Sequence, residues 1–428
     1  MPARSNIRLQ WGRNFSLDRA PQIQPTDASP SVLIVGGGVT GLITAWVLLD
    51  RGYYVTVLSK EWASYTKEQR LTSQIAGALW EYPPAACGQH TDAISQKHSK
   101  RWCMVAYRVW EAIAADPKLS EEAGVRMKES TFFFPCPVEE DKAQLSKMNE
   151  IMKSGVRGFR RDPSLTEKFN VDPAYGAVDA YQHLAPIIDT DVCTKWLMEM
   201  VQSKGARFLT ETIYGDLYTQ EDELRARFGA DVIVNCTGLA GAEIAGDKTC
   251  YPIRGSLIRV INDGVDFPKV TSALTIAADA IHDANGIVFI VPRNDNILLL
   301  GGIAQPHEYK LDLTLDSPVI KRMRERCEAF LPALKNARVD PDYPLAQGLR
   351  PFRKQNVRVE RELRRLEPLE GYKRSRQSRI VHSYGHGGSG WSLSFGCAED
   401  VANLVVDALR GLAPRAMALE DQFIQSRL

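Results

Sequence analysis

Cysteine is sparse and scattered in this 428-residue chain, and the eight that occur (Cys87, Cys103, Cys136, Cys193, Cys236, Cys250, Cys327 and Cys397) form no Cys-x-x-Cys pair. That spacing excludes a zinc ribbon and a disulfide framework, and it points to a reducing compartment and no metal site. An excess of charge is missing too. The 53 Lys and Arg face 52 Asp and Glu, for a formal net charge of +1, so the basic surplus needed to hold a phosphate backbone is absent and nucleic acid is not an expected partner. Long uncharged runs are scarce; residues 31–49 supply one of nineteen residues. It imitates a membrane span in length, but Gly36, Gly37, Gly38 and Gly41 interrupt it. Its pattern also changes from a continuous apolar stretch (Val32 to Val35) to helical spacing (Leu42, Ala45, Trp46, Leu49). A buried strand, a tight turn and a helix are therefore expected there, and no membrane span. Residues 1–30 lack an apolar stretch of signal-peptide length and read as a polar arm. There is no internal repeat and no low-complexity tract, and the composition excludes disorder, collagen and coiled coil. The length suits two or three domains.

What is present is a strand over 32–35, a helix over 39–51 and a second strand over 54–58, which implies a right-handed crossover and a parallel sheet. Apolar residues at helical intervals (Trp102, Val105, Val109, Trp110, Ile113) predict a helix over 91–115, and residues 131–135 read as a strand of another sheet. Thr190 is placed to cap a helix ending near Ser203, and residues 207–209 and 230–235 read as further parallel strands. From Tyr251 on, the segments 253–261, 287–291 and 297–300 are rich in β-branched and aliphatic residues and suit a largely antiparallel sheet. Residues 379–383 form a last strand and 398–412 a last helix. The basic segment 350–365, with Glu360 and Glu362 interleaved, reads as a solvated edge strand.

Chemistry concentrates in three glycine-rich places. Gly36-Gly37-Gly38-Val39-Thr40-Gly41 lies between predicted strand and helix, as a dinucleotide-binding turn requires. Gly36 permits the tight turn, Gly38 lets a pyrophosphate approach the backbone, and Gly41 lets helix and strand pack closely. Val39 and Thr40 open the helix, whose N-terminus attracts phosphate. Glu61 lies about where a carboxylate would hold the ribose hydroxyls, and Lys60 beside it also allows an NADP reading. NAD and FAD sites share such glycines. The second place favours a flavin: Thr72, Ser73, Ala76, Gly77, Ala78 and Trp80 belong to a small-residue loop after the second strand, where backbone can approach a ring closely. The third is the run Tyr384-Gly385-His386-Gly387-Gly388-Ser389-Gly390-Trp391, whose consecutive amides can face an electron-rich ring edge and stabilise its charge on reduction.

With these motifs in order, joined by residues 230–238 (Ala-Asp-Val-Ile-Val-Asn-Cys-Thr-Gly), 251–255 (Tyr-Pro-Ile-Arg-Gly), Gly301-Gly302 and 348–351 (Gly-Leu-Arg-Pro), the chain from Ser31 onward resembles the D-amino-acid oxidase and D-aspartate oxidase family of FAD enzymes. The resemblance implies an α/β fold, with a Rossmann-type FAD-binding domain (31–90, 189–250 and 377–428) interleaved with a mainly antiparallel β-sheet substrate domain with helices (91–188 and 251–376). It adds Cys236, Thr237 and Gly238 to the FAD contacts, with Gly387, Gly388, Ser389, Gly390 and Trp391 at the flavin edge. It implies that a small amino-acid-like substrate passes its α-hydrogen as hydride to flavin N5, giving an imine, and that O2 becomes H2O2. Catalysis would then be mostly orientation, with no general base. Arg350 stands where the family forks an arginine onto the substrate carboxylate. Phe289, Gly388 and Ser389 complete the expected reaction site.

Departures from the family pattern fall on the substrate side. Residues 287–292 read Ile-Val-Phe-Ile-Val-Pro, so Phe289 occupies the place of a carboxylate-supporting tyrosine, and Asn285 that of a second one. Ala304 replaces an arginine of the D-aspartate enzymes, which makes acidic substrates poor candidates. Either another group such as Tyr82 compensates, or the substrate is not a common free D-amino acid. The alternatives are a specialised imine-forming oxidase of secondary metabolism and a flavin-binding protein without turnover. Glu81 is a candidate for holding a cationic group, His386 is expected not to act as a catalytic imidazole, and Cys236 and Cys397 read as packed thiols. A homodimer is compatible with this reading. Ser426-Arg427-Leu428 resembles a peroxisomal address, which fits a peroxide-forming enzyme and makes the import receptor an expected partner. A fluorescently tagged chain is expected to co-localise with a peroxisomal marker by microscopy, and to lose that distribution when these three residues are removed.

Overall fold

The computed structural model describes residues 16–85, 93–276, 286–366 and 376–417. Asn285, Cys87 and the Ser426-Arg427-Leu428 tripeptide lie outside the described residues. Two sheets organise the chain. The first has six strands in the order Arg358–Arg361, Ile380–Tyr384, Val232–Asn235, Ser31–Val35, Tyr54–Ser59, Arg207–Thr210. All its pairings are parallel except that of the edge strand Arg358–Arg361 with Ile380–Tyr384. Its central strand Ser31–Val35 is apolar from Val32 to Val35 because both faces are covered there. Val32 and Ile34 join the core formed with the helices Val39–Asp50, Ala93–Ala115, Thr190–Ser203 and Gly390–Leu409, while Leu33 and Val35 face Leu217, Leu224 and Ile244 on the other side.

The second sheet has nine strands: Gln305–Pro306, Cys250–Ile261, Ile297–Gly301, Val288–Pro292, Ala273–Ile276, Val125–Phe134, Asp179–Ile188 and Arg160–Arg161 in that order, with Leu345–Arg353 also paired to Cys250–Ile261. It is antiparallel apart from the pairing of Val125–Phe134 with Ala273–Ile276. The helix Pro318–Phe330 covers it, burying Ile320, Met323, Cys327 and Phe330 against Ile258, Val260, Leu298 and Leu300. An α/β domain interleaved with a mainly antiparallel sheet domain is thus what the chain builds.

Three local expectations need correction. The helix Thr190–Ser203 is capped by Asp189, whose carboxylate accepts from the amides of Asp191 and Val192 at 3.2 and 3.5 Å; Thr190 is its first helical residue. The last helix begins at Gly390, inside the glycine-rich run, because the small side chains there let the backbone coil immediately after the turn. The basic segment is not one solvated edge strand. It splits between Leu345–Arg353 of the second sheet and Arg358–Arg361 of the first, so residues 358–361 leave the expected substrate domain. Arg353 and Arg361 are buried, the first paired with Asp247 at 2.7 Å and the second donating to Ser378 O at 3.0 Å.

Among the described residues the arm is held to the first domain by a buried ion pair. Lys204 Nζ donates to Asp50 Oδ1 at 2.6 Å and to Ala20 O at 3.1 Å, and both charged side chains are fully buried. Asp50 also accepts from the backbone of Ser16 and Gln22 and from the Trp46 indole, at 2.6, 2.9 and 3.1 Å. Burial pushes the Asp50 carboxyl up and the Lys204 ammonium down, each opposed by the other's charge. Among the described residues no helix is long and apolar enough to cross a membrane, and no cluster of three metal-ligating side chains occurs. Lys204→Met is expected to cost about 3–5 kcal/mol of stability, since it leaves the Asp50 carboxylate buried without its cation, and Asp50→Asn in that background should recover much of the loss. Urea unfolding followed by tryptophan fluorescence checks both.

Candidate active site

A cavity of about 580 Å³ is walled by residues of both sheets, and all three glycine-rich places open onto it. At its first end Gly36, Gly38, Val39 and Thr40 form the wall. The helix Val39–Asp50 starts from Gly38, which has no side chain to cap it, and apart from the Val39 amide, held by Ser73, its N-terminal dipole is directed at whatever lies there. Gly36 has φ +117°, a conformation open to glycine, and a side chain there would strike the Cys236 carbonyl. Gly41 is off the cavity wall. Its hydrogen faces the Gly36 carbonyl oxygen so closely that a Cβ would overlap it, so Gly41 serves the crossing of helix and strand. Ser59 Oγ accepts from Gly37 N at 3.2 Å and donates to Glu61 O at 2.6 Å, tying the turn to the residue expected at the ribose. Glu61 and Lys60 line the cavity, and their side chains meet at 3.5 Å. Beside them Trp62 stacks on Phe208 at 4.4 Å, forming a flat wall next to Gly37.

In the second loop Thr72, Ser73, Ala76, Gly77 and Ala78 reach the cavity. Ser73 Oγ accepts from Val39 N at 3.1 Å, and Ser73 O accepts from the Trp391 indole at 2.9 Å, so one serine joins all three glycine-rich places. Trp80 does not reach the wall. Its large ring is buried against Tyr107, with Nε1 donating to Cys103 O at 3.0 Å, so it anchors the loop from behind. Cys236, Thr237 and Gly238 do line the cavity, and burial pushes the Cys236 thiol up to about 12. Thr237 is held by Asn235 Oδ1, which accepts from its amide and hydroxyl at 3.1 and 2.8 Å. Behind it Asn235 Nδ2 lies 3.3 Å from His382 Nδ1, and His382 Nε2 3.2 Å from Glu362. Burial pulls His382 down to about 4; the neutral ring then accepts from Asn235 and donates to Glu362.

At the third place His386, Gly387, Gly388, Ser389, Gly390 and Trp391 line the cavity, and the helix Gly390–Leu409 starts from Ser389 without a side-chain cap. A second helix N-terminus therefore favours negative charge in the same space. Burial pulls His386 down to about 4, which makes its neutral ring a weak base at ordinary pH. Its Nε2, and Ser383 Oγ, are buried without a hydrogen-bond partner although both residues line the cavity. A cofactor rich in donors and acceptors satisfies such orphaned groups, and the uncapped helices and bare glycines leave room for its phosphates and ring. These residues fit FAD.

Arg350 and Phe289 share the wall. Arg350 lies on Leu345–Arg353, its guanidinium laid over Gly255 of the neighbouring strand, where any side chain would overlap it, and Nη1 donates to Ile303 O at 3.0 Å. Phe289 is paired across to Thr275 and Gly301, and its ring rests on the bare backbone of Gly77. Tyr82 is not on the wall; it is buried, donating to Glu150 Oε2 at 3.2 Å, and so does not stand in for the missing hydroxyl. Glu81 does line the cavity, but its charge is answered by buried Lys147 at 2.6 Å. Sequence reasoning missed Ser383, hidden in an ordinary strand, and Arg293 behind the second loop. A charged residue at the inward parity of Phe289 and Val291 was the available signal for Arg293.

Gly41→Ala is expected to raise the FAD dissociation constant of the apoprotein at least tenfold, because its Cβ meets a backbone carbonyl that cannot swing aside. Titration by quenching of flavin fluorescence measures it.

Comparison with known proteins agrees with this geometry. The family model described as FAD dependent oxidoreductase matches residues 31–404. A D-amino-acid oxidase of Rubrobacter xylanophilus is 31% identical over 377 residues, covering 88% of this chain and 96% of that protein. One of Dictyostelium discoideum is 28% identical over 381 residues, covering 89% and 92%. Among solved structures, a glycine oxidase from Bacillus cereus shares the fold with a TM-score of 0.62 at 18% identity, covering 91% of this chain and all of that one. An L-alpha-glycerophosphate oxidase from Mycoplasma pneumoniae with FAD bound does so with a TM-score of 0.63 at 16% identity, covering 88% and 95%. With its glycine turns, its two uncapped helices and its orphaned polar groups gathered on one cavity, the chain belongs to the FAD-dependent oxidoreductase family that includes D-amino-acid oxidases, and its cofactor is FAD.

Proposed function

We propose that this enzyme oxidises a D-amino acid, or a closely related amine bearing a carboxylate, to the corresponding imine, with dioxygen reduced to hydrogen peroxide. The observation that carries the reading is Arg350: a guanidinium on the cavity wall, seated on a glycine that leaves it space, presents a planar fork to a carboxylate. FAD, when bound, supplies the two-electron acceptor and passes the electrons on to dioxygen. The chain's part is to bind and orient. Arg350 fixes the carboxylate, and Phe289, Leu257 and Ile287 enclose the substrate side in apolar surface that excludes water. No side chain is required as a base, and the neutral His386 is consistent with that. The curated relatives named D-amino-acid oxidase support this substrate class. Peroxisomal delivery through Ser426-Arg427-Leu428 is part of the proposal.

A second reading is favoured by Phe289, which has no hydroxyl to support the carboxylate. Fewer donors around that group suit an N-substituted or otherwise specialised substrate, and an iminodiacetate oxidase is among the proteins of like fold, with a TM-score of 0.63.

Arg350→Ala is expected to keep FAD yet lower the second-order rate of anaerobic flavin reduction at least tenfold, since a charge-assisted hydrogen bond contributes about 1.5–3 kcal/mol. Gly255→Ala should act in the same direction by displacing the guanidinium. Phe289→Tyr should improve D-alanine if the missing hydroxyl limits binding. Stopped-flow spectroscopy with D-amino acids, L-amino acids and N-substituted analogues separates the readings, and flavin reduction in Arg350→Ala at the parental rate with every carboxylate would remove the arginine from the site.

A further inference from the structure

The strand Val288–Pro292 and the residue after it run along the back of the second loop. Phe289, Val291 and Arg293 share one face, as the two-residue period of a strand requires. Phe289 rests on Gly77. Val291 packs in a small apolar cluster with Leu79 and Ile187. Arg293, 4% exposed, reaches the loop's carbonyls: Nη2 donates to Gln74 O at 3.0 Å and Nη1 to Ala76 O at 3.3 Å. The other side of the guanidinium faces the start of the helix Thr190–Ser203, with Nε on Asp189 Oδ1 at 3.2 Å, Nη2 3.0 Å from Asp191 Oδ2, and a further bond to the Thr190 hydroxyl. Thr190 itself donates to Gln74 O, and Gln74 Nε2 donates to Asp191 Oδ1 at 3.2 Å. One side chain thus ties together a strand of the second sheet, a helix of the first domain and the loop that faces the cofactor.

The loop needs such a tie. Ala78 lies in the left-handed region at φ +45°, which an alanine adopts at greater cost than a glycine. Its carbonyl is fixed from one side by Ile188 N at 3.2 Å. From the other, Arg293 fixes Ala76 O, two residues earlier. Strained backbone of this kind persists where its surroundings over-determine it.

We propose that Arg293 is a positioning residue for FAD: by bridging Gln74 O and Ala76 O to Asp189 and Asp191 it holds Ala76, Gly77 and Ala78 in the shape the cofactor binds. This rests on the cofactor and is independent of which amine is oxidised. Lysine keeps the charge opposite both aspartates but, as a point donor on a flexible stem, cannot serve two carbonyls and two carboxylates together. The test is titration of the full-length apoprotein with FAD, with the thermal midpoint of each apoprotein recorded alongside. Arg293→Lys is expected to raise the dissociation constant at least tenfold. Ala78→Gly, titrated in the parent as the reference for the double variant, is expected to recover at least threefold of that loss in the Arg293→Lys background, because glycine adopts the loop's conformation without the tie. Thr190→Val, which removes the hydroxyl between Arg293 and Gln74 O, should weaken FAD about threefold, and it carries the test if Arg293→Lys does not fold. Parental affinity in the folded arginine variant, or in Thr190→Val where that stands in for it, overturns the proposal. So does a loss in Arg293→Lys that Ala78→Gly fails to recover, which would mark Arg293 as a general stabiliser with no specific hold on the loop.

Discussion

An extended dinucleotide has to lie against bare backbone, and on the cavity wall several glycines stand where a side chain would overlap a neighbouring element. At Gly36 a Cβ would strike the Cys236 carbonyl, at Gly77 the Phe289 ring, and at Gly255 the Arg350 guanidinium. Each glycine lets two elements from different parts of the chain approach to contact distance on the cavity wall. The two sheets can therefore share one cavity, which lies at the seam between them. The uncapped helices Val39–Asp50 and Gly390–Leu409 both begin at this seam. Their partial positive ends are left for the phosphates and for the ring that takes up charge.

Buried charge in this protein is spent on geometry rather than on acid-base chemistry. Asp50 and Lys204 fasten the arm to the first domain, Arg293 fastens the flavin loop to the helix cap, and Asn235, His382 and Glu362 stand behind Thr237. In each case the groups are paired and hydrogen-bonded, the condition under which burial of charge is tolerable. The histidines near the cavity are held neutral by the same burial, which suits a reaction in which orientation does most of the work.

On the substrate side the wall is short of polar groups. Phe289 offers a ring where a hydroxyl would assist a carboxylate, Tyr82 is committed to Glu150, and Glu81 is committed to Lys147. In the proposed reading Arg350 carries the recognition of the carboxylate, and the rest of the pocket discriminates by shape and by exclusion of water. Specificity built in this way separates substrates by fit more than by hydrogen bonding.

The glycine turn, the crossover unit and the antiparallel segments were legible in the sequence because they are local: a strand, a turn and a helix declare themselves by period and by residues that permit a sharp bend. Gly36, Gly38, Gly77 and the 387–390 run pointed to a dinucleotide in the same way, each through a backbone requirement that one residue type meets. What only the tertiary structure decided involves partners far apart in the chain. The basic segment could not reveal that Arg353 and Arg361 are buried in two different sheets, since Asp247 and Ser378 are its neighbours in space alone. Trp80 read as a cofactor contact because it follows the loop, yet the side of the loop it leaves on depends on the Ala93–Ala115 helix behind it. Arg293 had its signal in strand parity, but its meaning waited on Gln74 and Ala76 of the second loop and Asp189 of the helix cap, which arrive from two other elements. Local patterns set backbone shape, and long-range packing sets which side chain faces the cofactor, because a side chain's environment is built by residues the local sequence does not contain.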